Sequence, residues 1–583
     1  MREGRLSSLQ PVLARLGPHL RWLLLGTVAG GAAVLASIGL LSLSGWFLSA
    51  TAVAGLSIST AQAFNFFHPS VGVRLFAGLR ILSRYGERVL NHEATFRILE
   101  SLRTWFYLRL EPLSPGGLNR FRSGDVLHRL VADIDVLDLL YVRILSPAGA
   151  AALTVGALGV FLLCFDTALA AVAVGLLLAA CVLLPLAMAW AGMSVGSGLS
   201  LARARLRTVA VEAIQGIAEL LVYQGRKRHL EQLNELDNRM LSHQRRMNRL
   251  AGFSEAALTL VSGFAVMAAL GIGVRLVHAR QLSGESLACV VLAVWAAFEA
   301  AAPLSGAFQH IGNLLESARR VNEVAGAEPA VRFPPSGAPV PDRHNVVFEG
   351  VRFRYEPDLP PALDGVDLHL EHGSRSAVVG ETGSGKSTLA QLLVRFWDPD
   401  EGIVSVGGTD IRKLGENKLR RLWSVVPQQP HLFHASLREN LYIGDGDASE
   451  ERLYDALDQI HLADFVRSLP DGLETIVGEG GKKISGGQAR RIAVARAILH
   501  DAPIWLLDEP TEGLDTVTER RLVDELLRIT EGRTLIWITH RLVRMDRMDT
   551  IFVLDGGKVV ESGSHRSLLS AGNRYAALHL RLP

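Results

Sequence analysis

The chain has 583 residues, 60 Lys and Arg against 58 Asp and Glu, and 49% hydrophobic residues with only 20% charged. A net charge of +2 and a mean hydropathy of +0.24 exclude a disordered, polyanionic or nucleic-acid-coating chain, and the length allows about three to five domain-sized units. Three dispersed cysteines, Cys164, Cys181 and Cys289, exclude a disulfide framework or a cysteine zinc site and read as buried small hydrophobes.

Arg2, Arg5, Arg15 and Arg21 precede a first apolar run that is too long for a signal-peptide core and lacks a nearby small-residue cleavage site. That segment is expected to stay in the mature protein. A hydrocarbon core of ~30 Å needs about 20 apolar residues in helix. Runs of that size fall at roughly 22–48, 62–83, 144–165, 167–190, 252–277 and 285–310. The third and fourth are joined only by Phe165-Asp166-Thr167, which demands a tight helical hairpin. Arg74 and Arg80 interrupt the second; a charge at mid-membrane costs about 2.5–3.5 kcal/mol on insertion scales and normally faces a bundle interior or a cavity.

Segments 97–143 and 195–250 are rich in arginine, whereas the connections at 51–62 and 165–167 hold no Lys or Arg and 278–284 holds only Arg280. The positive-inside rule then places both termini and both long loops in the cytoplasm. Around 195–250 apolar residues recur at helical spacing among Arg, Glu and Gln, so the spans are expected to continue as amphipathic helices beyond the lipid. Segment 331–344 is a Pro-rich linker, after which short strand-like stretches alternate with helical ones. The expected fold is an α-helical six-span transmembrane domain over 1–330 followed by an α/β P-loop domain over 345–583.

Gly380-Glu381-Thr382-Gly383-Ser384-Gly385-Lys386-Ser387 fits GxxxxGK[ST], between the strand Ala377–Val379 and a helix expected from Thr388. Its glycines let backbone N–H groups turn inward around phosphate oxygens, Lys386 brings a charge to the β- and γ-phosphates, and the Ser387 hydroxyl suits Mg²⁺. A second apolar strand, Ile504-Trp505-Leu506-Leu507, runs into Asp508-Glu509. Acids at the carboxyl end of a buried strand stand where nucleotides bind in open α/β sheets. Asp508 suits Mg²⁺ and Glu509 the polarising of an attacking water.

With these motifs the chain resembles the ATP-binding cassette family. Ile484-Ser485-Gly486-Gly487-Gln488 is similar to its LSGGQ signature, with Ile for Leu, and opens the helix Ala489–Leu499, whose N-terminal dipole can face a phosphate. The resemblance implies that Ser485, Gly486, Gly487 and Gln488 cap ATP held by the opposite subunit's P-loop. It also implies that Gln428 senses Mg²⁺ and the γ-phosphate, that His540 is the switch histidine, and that Tyr355 stacks on adenine. Asp515 matches the acid of the D-loop, although Glu512-Gly513-Leu514-Asp515 replaces the commoner Ser-Ala-Leu-Asp.

Six spans ahead of one cassette resemble an exporter half-transporter. Residues 42–50, 84–88, 92–96, 112–115 and 298–309 are similar to CydC-type subunits of the heterodimeric CydDC exporters that support cytochrome bd assembly. That resemblance implies a homologous CydD-like partner, an inner-membrane location, and export of cysteine, glutathione or a haem-related compound. Arg80, Arg84, Arg88 and His92 are spaced four apart and share one helix stripe. An imidazole can ligate haem iron and a guanidinium one turn away can pair with a propionate, so His92 and Arg88 are candidates for haem b; the same stripe suits glutathione carboxylates or a solvated positive-inside face. The resemblance adds weight to haem, since the matching histidine of the family is a ligand candidate, and leaves the other readings of the stripe open. The expectation is an ATP- and Mg²⁺-dependent exporter subunit; a homodimeric lipid or drug exporter, or a haem or redox sensor with a gating cassette, are the alternatives.

Overall fold

In hydrocarbon a chain has no water to satisfy its N–H and C=O groups, so apolar runs must pair them internally as helices. The computed structural model of the chain describes residues 9–113, 116–118, 121, 123–478, 484–513 and 516–580. Their contacts form two units, Met1–Pro112 with Arg120–Ala327, and Leu113–Asn119 with Glu328–Pro583.

The first unit is built from long helices: α1 (Gln10–Ala54), α2 (Phe67–Leu110), α3 (Gly124–Leu163), α4 (Thr167–Gln215), α5 (Arg226–His278), α6 (Gly284–Phe308) and the shorter α7 (Ile311–Ala325). Among the described residues, α1, α3, α4, α5 and α6 are long and apolar enough to cross a membrane. The expected second span, 62–83, does not meet that standard. Residues Ile58–Ala63 form a separate short helix capped by Ser57, and α2 begins only at Phe67, with Arg74, Arg80 and Arg84 in its first half. Ion pairing compensates in part, because Arg84 bonds Glu299 of α6 at 2.5 Å and Glu87 at 3.2 Å.

The 53 residues of α5 make a rod about 80 Å long, far more than a hydrocarbon core of ~30 Å can hold. The polar region around 195–250 therefore forms the ends of α4 and α5. The α3–α4 hairpin turns at Asp166, whose carboxylate accepts a hydrogen bond from the Leu169 N–H at 2.8 Å. Farther along, α4 meets the α6–α7 junction and the start of α7 backbone to backbone: a Cβ on Gly192 would lie 2.4 Å from the Gln309 carbonyl, and one on Gly312 2.4 Å from that of Met193. Some buried polar groups in this unit are bonded to one another, as the Tyr141 hydroxyl is to Asn91 Oδ1 and the Leu23 carbonyl. The cysteines differ from expectation. Cys164 is exposed and Cys181 and Cys289 half-buried, because a helix face turned to lipid can carry an apolar thiol without burying it in protein.

The second unit holds a six-stranded sheet in the order β12-β11-β3-β10-β9-β6 and a four-stranded antiparallel sheet β2-β1-β4-β5. In chain order these strands are β1 (Val346–Phe353), β2 (Leu363–Leu370), β3 (Arg375–Val379), β4 (Glu401–Val406), β5 (Thr409–Asp410), β6 (Trp423–Val426), a small pair β7 (Ala435–Ser436) and β8 (Ile476–Val477), then β9 (Ile504–Asp508), β10 (Thr534–Thr539), β11 (Thr550–Asp555) and β12 (Lys558–Gly563). Strands β6, β9, β10, β3 and β11 run parallel. A parallel sheet covered on both faces needs near-continuous apolar strands, and all six residues of β10 are buried. The buried indoles of Trp505 and Trp537 fill the space on one side of it.

Candidate functional site

Parallel pairing brings the carboxyl ends of four strands to one edge. Val379 is level with Thr539, Ile538 with Asp508, and Leu507 with Val426. The loops leaving β3, β10, β9 and β6 therefore deliver the P-loop, His540, Glu509 and Gln428 to the same crevice, where ligands bind in open α/β sheets.

After β3 the chain turns through Gly380–Gly385 into the helix α8 (Lys386–Leu393), which starts two residues before the expected Thr388. Gly385 has φ +104°, and a Cβ there would lie 2.6 Å from the Ala362 carbonyl, so only glycine allows the loop to curl this tightly. Lys386 is buried, its ammonium donating to the carbonyls of Gly380 at 2.9 Å and Glu381 at 2.8 Å. Burial lowers its pKa, while Glu509 and Asp508 pull it back up. Ser384 Oγ is buried without a partner among the described residues. An orphaned hydroxyl and an amine satisfied only by loop carbonyls fit an anion bearing several oxygens. Ser387 and Thr388 lie in the first turn of α8, Ser387 exposed.

At the end of β9, burial and the charge of Glu509 push the Asp508 carboxyl up to about 6, against the opposing pull of Lys386. A bound divalent cation would reverse that penalty, so the Asp508–Ser387 neighbourhood has the hard-oxygen chemistry that Mg²⁺ requires. Glu509 holds a left-handed φ of 49°, an uncommon and strained value for a residue with a side chain. Its N–H donates to the Ile538 carbonyl at 2.9 Å, its Oε2 accepts from Gln428 Nε2 at 3.0 Å, and its Oε1 lies 3.0 Å from His540 Nδ1. Three expected residues thus meet on one carboxylate.

Tyr355 has a different neighbourhood from a free stacking platform. Its hydroxyl bonds Thr388 Oγ1 at 3.0 Å and Gln391 Oε1 at 3.2 Å, and its ring packs edge-on to Phe353 and Trp397. The ring is half-buried, fixed beside the first turn of α8.

The signature segment opens α9 (Gly486–His500). Ser485 caps it by a reciprocal pair: its Oγ accepts from the Gln488 N–H at 3.2 Å, and Gln488 Oε1 accepts from the Ser485 N–H at 2.8 Å. Gly486 and Gly487 form the first turn between them. Asp515 lies outside the described residues. Sequence reasoning missed Arg490, which donates to the Gln428 carbonyl at 3.0 Å and pairs with Glu512 at 3.5 Å. Glu512 is one of two residues, with Gly513, that depart from the family pattern; its acidity was the signal, and a cation within reach on α9 explains it.

In the first unit the stripe 80–84–88–92 is divided. Arg84 turns to Glu87 and Glu299, whereas Arg88 and His92 are exposed. His92 stacks on Phe96, with ring centroids 6.3 Å apart, and lines a cavity of about 720 Å³ with Leu99 and Arg103. Arg103 is already paired with Asp135 at 2.6 Å, and Arg88 lies outside this lining. An exposed imidazole beside an aromatic ring offers one ligand to a planar macrocycle, but the carboxylates of Glu100, Asp135 and Asp138 share the lining and oppose its propionates. Glu299, an acid in the sixth apolar run, was legible but passed over.

The model of the ABC transporter transmembrane region matches residues 22–295 and the ABC transporter model matches 363–512. The chain is 41% identical to the glutathione/L-cysteine transport system ATP-binding/permease protein CydC of Escherichia coli K12, over 97% of this chain and 98% of that one. It is 32% identical to the CydD protein of the same system in Bacillus subtilis, over 98% and 99%. Among solved structures, a bacterial Atm1-family ABC exporter with ATP bound superposes with a TM-score of 0.78 at 26% identity, covering 97% of this chain and 99% of that one.

Proposed function

The chain belongs to the ABC transporter family, in its CydC-type branch, and from that premise we propose that it is one half of a heterodimer exporting a thiol, cysteine or glutathione, across the cytoplasmic membrane. As a member of that family it binds ATP with Mg²⁺ and couples ATP hydrolysis to transport. Its partner is a CydD-like chain, with cassettes and termini in the cytoplasm, and its work supports assembly of cytochrome bd.

In this reading Tyr355 supports the adenine and Gly380–Thr388 wraps the phosphates. The Lys386 ammonium exchanges its loop carbonyls for phosphate oxygens. Ser387, Asp508 and Gln428 would hold Mg²⁺, which would neutralise phosphate charge when bound. Glu509, oriented by Gln428 and His540, polarises the attacking water. Ser485–Gln488 covers the nucleotide of the opposite cassette, and Asp515 links the two sites. The pair of cassettes closes on ATP and reopens after hydrolysis.

One observation carries the cargo reading: the end-to-end likeness to a relative whose name is a glutathione/L-cysteine transport system. His92 would offer its imidazole to the iron of haem b, and Arg88, one turn away but outside the cavity lining, would offer its guanidinium to a carboxylate of the same group. The test is ATP-driven uptake into inverted vesicles containing both subunits, comparing cysteine, glutathione and haem. Thiol accumulation that Glu509→Gln abolishes is expected; haem accumulation without thiol uptake overturns the cargo. For the haem site, His92→Ala is expected to remove haem absorbance from the purified complex, and retained, unshifted absorbance dismisses His92.

A further inference from the structure

Apart from the nucleotide crevice and the cavity beside His92, the ends of α3, α4, α5 and α7 line a partly open space of about 600 Å³, within the range of small-ligand pockets. Its walls are rich in guanidinium groups, and the pairing of each decides what the space can hold. Asp133, almost wholly buried, bonds Arg320 through Nε at 2.8 Å and accepts from Ser317 Oγ at 3.0 Å, so that pair is neutral. Arg129 donates to the Arg320 carbonyl at 3.2 Å and reaches Glu323 at 3.8 Å.

The cations of α4 are different. Arg203 donates to the neutral amide of Gln244 at 3.1 Å, and among the described residues no carboxylate lies within ion-pair distance of Arg203, Arg205 or Arg207. Among the described residues the other wall carboxylate, Asp125, likewise has no cation within ion-pair distance, and His128 faces Asp133 at 4.0 Å. The space therefore has a surplus of positive charge. Arg203 and Arg207, four residues apart, share one face of α4 with Cβ atoms about 5–6 Å apart. Two planar forks at that spacing match two carboxylates, each held by paired N–H···O bonds.

We propose that this cavity binds a small dicarboxylate, with one carboxylate on Arg203 and one on Arg207, and takes an ammonium group, where the ligand has one, on Asp125. The inference rests on the export reading for its ligand source and for placing the cavity on the cytoplasmic side, where it captures anionic cargo before the membrane passage. The same pair of carboxylates occurs in glutathione, which adds one ammonium, and in haem, which adds none. Cysteine, with one carboxylate, is held less tightly.

The test is calorimetric binding to the purified full-length transporter with its partner, without nucleotide, of glutathione, of its dimethyl ester and of inorganic phosphate. Haem is titrated separately in a His92→Ala background, so that only this cavity responds. Wild type is expected to bind glutathione, and to bind the ester about tenfold more weakly. Arg203→Gln with Arg207→Gln is expected to lose about the same factor for glutathione, to treat acid and ester alike, and to keep basal ATPase activity, which reports an intact fold. Asp125→Asn is expected to weaken glutathione and leave haem unchanged. Equal affinity of the double variant and wild type, no binding to wild type, an ester that binds as well as the acid, or displacement of glutathione by equimolar phosphate each overturns the proposal. Undiminished thiol uptake and binding in the double variant sinks the cavity and leaves the export reading standing. Binding that depends on both arginines in a transporter that moves no thiol sinks the export reading and leaves the cavity.

Discussion

Nδ1 of His540 lies 3.0 Å from Oε1 of Glu509, joining the turn after β10 to the turn after β9. The second oxygen of the same carboxylate is held by Gln428 from the turn after β6, and the backbone beneath it is held at a left-handed φ. A carboxylate fixed from two sides has its lone pairs aimed in advance, which is what a water-polarising group needs.

That arrangement gives the first prediction. Glu509→Gln keeps the shape but exchanges one accepting oxygen for an amide donor and removes the basic carboxylate, so ATP turnover is expected to fall by about 10²–10⁴ while nucleotide stays trapped in the closed dimer. His540→Ala removes only one restraint and is expected to lose less. In the double variant the losses do not add, because both residues act through one carboxylate. Steady-state ATPase rates with retained radiolabelled nucleotide measure all three. Normal turnover in Glu509→Gln sinks the assignment.

Asp508 supplies the second prediction, through pH. Its carboxyl is raised from 3.8 to about 6 chiefly by burial, then by Glu509. An acid with a raised folded pKa binds more protons folded than unfolded between those values. The nucleotide-free cassette is therefore expected to lose up to about 3 kcal/mol of stability as pH climbs from 3.8 through about 6. Mg²⁺ needs the ionised form, so Mg²⁺-dependent ATP affinity is expected to weaken as pH falls below about 6, with proton uptake by Asp508. Affinity titrations between pH 5 and pH 8 check this in wild type and Asp508→Asn. A flat wild-type profile, or the same slope in Asp508→Asn, contradicts it.

The cassette was largely legible in the sequence, and the membrane unit only in part, for a physical reason. Phosphate chemistry fixes residue types at short spacing: the Gly385 turn requires a glycine, and Asp508-Glu509 must follow a buried apolar strand. Residues far apart then meet through strand register, which puts Gln428 and His540 on Glu509, a meeting that no spacing in the sequence announces. The Arg490–Glu512 pair joins a helix to a loop across a tertiary contact that no spacing announces. In the membrane unit hydropathy finds spans only where apolar residues dominate. Its signal is weak at the start of α2, where Arg84 is answered by Glu299 of another helix, and it says nothing of which arginines remain unpaired at the far end of α4.

Those answering charges make the last prediction, between α2 and α6. Arg84 stands between two carboxylates, Glu299 at 2.5 Å and Glu87 at 3.2 Å, so the cluster carries one negative charge with the guanidinium present. Glu299→Gln removes that excess and leaves Arg84 paired with Glu87. Arg84→Ala instead leaves two carboxylates facing each other with no cation, in surroundings where uncompensated charge is costly. The arginine variant is therefore expected to be the less stable of the two, although each group of the pair is about a third exposed, which weakens the penalty. Restoring balance in Arg84→Ala with Glu299→Gln is expected to recover part of the loss, with a coupling of about 0.5–3 kcal/mol. Thermal unfolding of the four proteins in lipid nanodiscs measures this directly. Equal destabilisation by the two single variants, or no recovery in the double, means that the contact between α2 and α6 holds by packing rather than by charge.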